Sequence, residues 1–297
     1  MTGSRRKSVG VTLLIFMILK TKIHTFLALI IASAVTGIVG GMMPREVAAA
    51  ITNGFGSTLS SIGIIIGFGV MMGRILEVSG AAERMAYTFI KTMGKGKEDL
   101  ALALTGFIVS IPIFADSGFV IRTPLVKSIS RKTKQSVIGL GCALACGLFV
   151  THHLVPPTPG PLGVAAIFGA DLGSVILWGL AMSVPVTIAG VIYARWLGKH
   201  IYQLPADDGL NWERGVYDAK RISDAGNIEA MFPNLNELPS AFVSFMPIVL
   251  PVILIFLNTL CSALGVKGIV GEIAVFIGNP VIAVAIGLVH SCSKRDT

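Results

Sequence analysis

About 20 apolar residues cross a hydrocarbon core, and the uncharged run 135–170 is too long to be one such helix. Thr151-His152-His153-Leu154-Val155-Pro156-Pro157-Thr158-Pro159-Gly160-Pro161 interrupts it in the middle. A second apolar segment, 100–126, is interrupted by Pro112, Asp116, Ser117 and Gly118. Unbonded backbone cannot face lipid, so broken helices at membrane depth persist only inside protein or along a watery cavity. These two interruptions hold an acid, two adjacent histidines and five prolines. They demand an all-α, polytopic helical membrane protein folded around an internal polar site.

Composition agrees. Only 13% of the residues are charged, against about 25% in soluble domains, and the charges cluster between long apolar runs. The net charge of +8 comes mostly from short loops, where basic residues set membrane orientation. No basic stripe with interleaved aromatics marks a nucleic-acid surface. Cys142 and Cys146 lie four apart on one helix face and read as small packing residues. Cys261 and Cys292 are isolated, so neither a disulfide framework nor zinc spacing is present. Arg5, Arg6 and Lys7 precede an apolar run, but Lys20 and Lys22 stand where a small-residue cleavage site belongs. That argues against a cleaved signal peptide. No cofactor is expected.

In order, 9–19 is apolar but short for a span, so either its helix extends, tilted, into Gly3–Ser8 or the start of that helix is missing. Spans are expected at 23–44, 58–73, 172–194, 241–264 and 268–289. Gly63 and Gly67 offer a small-xxx-small face for close helix packing. Ser79 and Glu83 read as a helix start, with apolar residues at 85, 89 and 93 marking an interfacial helix. Segment 99–131 is either one kinked span or a re-entrant hairpin with arms 100–111 and 119–126 and Asp116 near its tip. Arg74, Arg84, Lys91, Lys95 and Lys97 precede it, and Lys127, Arg131, Lys132 and Lys134 follow. A hairpin puts both basic clusters on the cytoplasmic side, so the positive-inside rule favours it. Segment 135–170 reads as half helix, unwound stretch 151–161 and half helix. The organisation expected is a first transmembrane repeat over 1–197 and a cytoplasmic connector, partly helical, over 198–240. A second repeat begins at 241–297 and stops short.

Broken helices near the bilayer midplane are how transporters build substrate and ion sites. Asp116 is the leading candidate. A carboxylate there costs about 2.5–3.5 kcal/mol on the insertion scale, and burial favours its protonated form, which suits a proton carrier. The plainer reading is a helix cap, with Asp116 and Ser117 bonding the free amides of the second arm beside Gly118. His152 either relays protons or bonds the unwound backbone next to Thr151, and His153 is the more ordinary of the pair. Adjacent histidines point apart, which excludes a metal site built on them. Pro156, Pro157, Pro159 and Pro161 hold the break open. Thr158 and Gly160 present either a hydroxyl and close-approach backbone to a ligand, or turn chemistry. Arg122 clamps a carboxylate bidentately, pairs with Asp116, or snorkels to the basic edge.

Four stretches carry a family resemblance: LEVSGAAERMAYTFI (76–90), IPIFADSGFV (111–120), PLVKSISRK (124–132) and LVPPTPGPLGVAAIFGADLG (154–173). In order and spacing they resemble the gluconate permease family of proton-coupled symporters, within the larger ion transporter superfamily. The resemblance runs from about residue 11 to about 288, roughly the first two-thirds of a family member. It implies an inverted-repeat fold in the bacterial inner membrane, importing gluconate or a related sugar acid with a proton, with a branch carrying D-serine. Homodimerisation through the scaffold spans is also implied. Arg122 replaces an apolar residue of the family pattern, and His153 a serine. The front end is shortened and most of the second repeat is absent, so the rival expectation is a truncated, non-transporting fragment of such a permease. A membrane hydrolase using Asp116 and His152 would need a nucleophile or zinc motif, and neither GxSxG nor HExxH occurs.

Overall fold

The computed structural model describes residues 3–21, 23–93, 96–206, 211–217, 232, 235, 237–266 and 268–293. The chain forms two compact units, Met1–Gly63 and Ile64–Thr297. Among the described residues it is almost wholly helical. Three helices are long and apolar enough to cross a membrane, or up to five with bent helix pairs counted as one span each.

The first unit holds α1 (Gly3–Lys20), α2 (Thr25–Val39) and the start of α3 (Pro44–Val78). The span expected at 23–44 is shorter than that. His24 caps α2 by accepting from the Phe26 amide, and the helix stops at Gly40. Pro44 then opens α3, since a proline at a helix start loses no bond. Residues 45–57 and the span expected at 58–73 are both parts of α3. Phe26 meets Phe55 edge to face.

In the second unit, α3 leads into α4 (Ala81–Met93), α5 (Glu98–Val109) and α6 (Ala115–Thr133). The face of α4 expected to be interfacial packs inward instead: Met85 is buried, and Phe89 and Met93 pack partly buried against a cluster that includes residues of α5, α6 and α7. Glu98 and Asp99 occupy the first turn of α5, where the helix dipole favours acids. Both are buried, and both are satisfied. Gln135, just past α6, donates to Glu98 at 2.5 Å, and the Arg195 guanidinium bonds Asp99 through Nε and Nη2. The end of α6 therefore returns to the start of α5.

From that face α7 (Val137–Leu154) and α8 (Pro159–Phe168) run away together, and α9 (Leu172–His200) comes back. Ser136 donates to the Ile201 carbonyl and Tyr202 to that of Lys134, both at 2.8 Å. At the far end Asp171 caps α9 by accepting from the Ser174 amide at 2.7 Å. Exposed Trp178 and Trp196 mark two levels of α9. Eighteen residues of helix separate them by about 27 Å, close to the hydrocarbon thickness between aromatic belts.

The unwound stretch of 135–170 is shorter than expected. Only 155–158 leaves the helix. Residues 151–154 complete α7, and Pro159 and Pro161 lie in the first turn of α8, where a missing N–H is harmless. After α9 the connector forms an antiparallel pair, β1 (Gln203–Pro205) and β2 (Trp212–Arg214), with Leu204 opposite Glu213. This part is sheet, not helix, because Pro205 and the bulky Trp212 suit an extended edge. Residues 218–231 of the connector, Gly94, Lys95 and the tail 294–297 lie outside the described residues. Then come α10 (Ala241–Ala263), α11 (Ile269–Ile277) and α12 (Pro280–Ser293). The span expected at 268–289 is broken between the last two, at Gly278 and Asn279, with a 66° bend.

Helix packing rests on glycines other than the expected pair. The space beside Gly67 is open. By contrast, a Cβ on Gly106 of α5 would sit 2.7 Å from the Leu144 carbonyl oxygen of α7, and one on Gly147 would collide with the Ala103 carbonyl. Gly139 and Gly198 bring α7 and α9 together, a Cβ on either standing 3.0 Å from the other's Cα. Replacing Gly147 with alanine forces α5 and α7 apart, an overpacking cost of about 1–3 kcal/mol. The thermal midpoint of the purified chain should fall for Gly147→Ala and stay unchanged for Gly141→Ala, whose Cβ would meet only Phe119, at 3.9 Å.

Candidate functional site

Two helix breaks face each other. The first follows α5. Its helix ends at Ser110, Pro112 removes a donor, and Phe114 stands at the N-cap of α6. The buried Ser110 hydroxyl donates across this break to the Ile113 carbonyl at 3.4 Å. The second follows α7. Val155 is its C-cap, the Pro156–Pro157 peptide is cis, and Thr158 is the N-cap of α8. The buried Thr158 hydroxyl donates back to the Val155 carbonyl at 2.8 Å. Each break is thus closed by one hydroxyl that satisfies a carbonyl the helix cannot reach.

Glycines bring the breaks into place. Gly73 of α3 lets the Pro112 carbonyl approach to 2.8 Å of where a Cβ would stand. Gly179 of α9 lies under the Leu154 carbonyl with no room for a side chain. Between the breaks is a crevice of about 10 Å³, lined by residues of both, including Phe114, His152, Pro157, Thr158 and Pro159. That is the room of about one water. The starts of α6 and α8 both border it. In α6 the amides of Ala115, Asp116 and Ser117 have no side-chain cap and favour anions, whereas in α8 Pro159 and Pro161 leave the Gly160 N–H as the donor of the first three positions.

The crevice shares Val70 and Pro112–Phe114 with a cleft of about 520 Å³ that also holds Arg74, Glu77, Asp116 and Ser117. A third space of about 430 Å³ lies beyond it, between α3, α4 and α6, bordered by Glu77, Glu83, Arg122 and Ser128.

The predicted residues divide accordingly. His152 is half-buried, with its ring 5.5 Å from that of Phe114 and a buried Nδ1 that has no bonded partner. Pro157 and Thr158 line the crevice with it. Gly160 is exposed in the first turn of α8 with open space beside its Cα. Asp116 and Ser117 stand in the 520 Å³ cleft, but they are exposed rather than buried. They do not cap α6 either. The N-cap is Phe114 and no side chain bonds the cap, because Asp116 lies one residue inside the first turn. Gly118 is buried against Leu148. Thr151 is fully buried and donates to Gly147 of its own helix, so its hydroxyl is turned away from the crevice. His153 is exposed, with Nδ1 2.7 Å from the Phe149 carbonyl.

Arg122 neither pairs with Asp116 nor snorkels. Six residues along a helix point to different faces, and Arg122 is buried, its Nη1 donating to the Gly118 carbonyl at 2.9 Å. Sequence reasoning passed over Arg74 and Glu77, which form a 2.8 Å ion pair facing Asp116 across the cleft. The available signal was Glu77 itself, an acid inside the apolar run Ile75-Leu76-Glu77-Val78.

A family model described as GntP family permease matches residues 7–293. An uncharacterized permease of Haemophilus influenzae is 45% identical over 95% of this chain and 58% of its own length. The high-affinity gluconate transporter of Escherichia coli is 34% identical over 95% of this chain and 60% of its own length. The Gnt-II system L-idonate transporter of the same organism is 34% identical over 94% of this chain and 60% of its own length. The chain thus spans about 60% of the length of these curated relatives. No solved structure matches it.

Thr158→Val keeps the shape of the second break but leaves the buried Val155 carbonyl unpaired, at a cost of about 1–3 kcal/mol. Its thermal midpoint should fall, while that of Ser117→Ala, at an exposed site, should not move.

Proposed function

The chain belongs to the GntP family of permeases, and from that premise we propose that it takes part in importing a sugar acid, gluconate or a close relative, together with a proton. The observation that carries this reading is the meeting of the α6 and α8 helix starts beside His152. The uncapped amides of the α6 first turn, the Gly160 N–H of α8, an imidazole and the open space at Gly160 suit a small hydroxylated carboxylate. The anion would be held by the amides and its hydroxyls by Asp116, Ser117 and the open cleft. Gluconate and L-idonate, the ligands in the names of two relatives, have this chemistry. Alternating access would move the α5–α6 hairpin and the α7–α8 break against the other helices, in the inner membrane of a bacterium.

Uptake of labelled gluconate by cells lacking their own permeases tests this. Expression of the chain should give uptake that collapses with the proton gradient and falls at least about tenfold in Asp116→Asn, the loss of one charge-assisted hydrogen bond. Uptake no higher than in cells without the chain, with the protein shown to be in the membrane, would refute the proposal.

Gly160→Ala separates folding from binding. The added methyl meets nothing within 4 Å, so thermal stability should stay within about 0.5 kcal/mol. The same methyl stands where a ligand would approach the backbone, so uptake should drop.

A further inference from the structure

One charge in these clefts lacks a full set of partners. Arg122 is only 5% exposed, and its Nε is buried with no acceptor. A desolvated guanidinium needs an anion close by. The carboxylates whose charge acts on it are Glu77 and Glu83. Glu77 also accepts from Arg74 at 2.8 Å. The Arg74 side chain is 69% exposed and that of Glu77 only 19%. Glu77 lines both the 520 Å³ and the 430 Å³ spaces, whereas Glu83 borders only the second and is exposed. Glu77 is therefore a single carboxylate between an exposed guanidinium of its own helix and a buried one of α6. The other ionisable groups facing it are Glu83 from α4 and Asp116 from α6.

We propose that Glu77 is the proton-linked carboxylate of this protein, and that its protonation releases Arg74 and Arg122 to a carboxylate ligand. Ionised Glu77 is the counter-charge of both guanidinium groups, so an anion must compete with it. A proton from water on a Glu77 oxygen removes that competition. The ligand's carboxylate then takes its place, and the cleft holds the same net charge before and after. Each bound anion thereby brings one proton. The inference rests on the symport reading above and moves the proton from Asp116 to Glu77. Asp116 is exposed, no hydrogen bond to it is formed among the described residues, and its charge acts on His152 rather than on Arg122.

The full chain in lipid nanodiscs tests this in two ways. Infrared difference spectra between neutral and acidic pH should show a protonated-carboxyl band that is lost in Glu77→Gln and kept in Asp116→Asn. The same band persisting in Glu77→Gln overturns the proposal. Gluconate affinity of the wild type should rise about tenfold per unit fall in pH, the linkage of one proton to one ligand, and Glu77→Gln should bind with no pH dependence. Wild-type pH dependence in Glu77→Gln also overturns it. A Glu77-dependent band in a chain that binds no gluconate at any pH upholds the proton site and sinks only the substrate reading.

Discussion

The backbones of α5, α7 and α9 touch, and everything else in the second unit depends on that contact. Lipid is as apolar as a leucine core, so burying Leu102, Leu140 or Leu144 supplies little drive for helices to associate in a membrane. Close van der Waals approach supplies more, and it needs positions without side chains. Gly106 and Gly147 provide them between α5 and α7, and Gly139 and Gly198 between α7 and α9. The three helices form a slab on which the hairpin return α6 and the short α8 are mounted.

The same device sets the site. Breaks in two helices have no reason to coincide unless neighbouring helices hold them. Gly73 admits the Pro112 carbonyl and Gly179 the Leu154 carbonyl, so α3 and α9 press the two breaks against each other from either side. Each break would otherwise hold an orphaned carbonyl. Ser110 and Thr158 satisfy those carbonyls internally, and the uncapped first turn of α6 keeps its amides for an outside partner. Prolines act here by position. Pro112, Pro156 and Pro157 stop helices, while Pro159 and Pro161 start one.

Charge is divided between two ends of the fold with different tasks. At the end where α5 begins and α9 finishes, Glu98 and Asp99 are bonded by Gln135 and Arg195. Those pairs close the hairpin's base against the scaffold. Around the clefts the matching is incomplete. Arg122 has one bond and an orphaned Nε, and Glu77 lies between two cations. Incomplete pairing in a desolvated place is costly, and the clefts are where a ligand would make up the difference.

Much of this was legible in the residues. Apolar runs of membrane length, charge confined to their ends and prolines inside them define an all-α membrane fold, and four motifs with matching spacing point to one family. The two breaks were located by Pro112 and Pro156-Pro157, and basic residues on both sides of 99–131 favoured a hairpin. Tertiary structure decided what those signals could not reach. A lone carboxyl in an apolar run looks buried, yet Asp116 is exposed because α6 turns that face to a cleft, and Glu77 of α3 is the acid that stands between cations. A proline block looks like a long unwound stretch, yet it unwinds only four residues, because proline is tolerated in a first turn. Glycine spacing suggested Gly63 and Gly67, while the contacts formed at glycines of other helices. Periodicity along one segment reports which faces are apolar. Which face meets which, and whether a charge ends in a crevice or in the open, is set by the neighbouring helix, and no single segment carries that information.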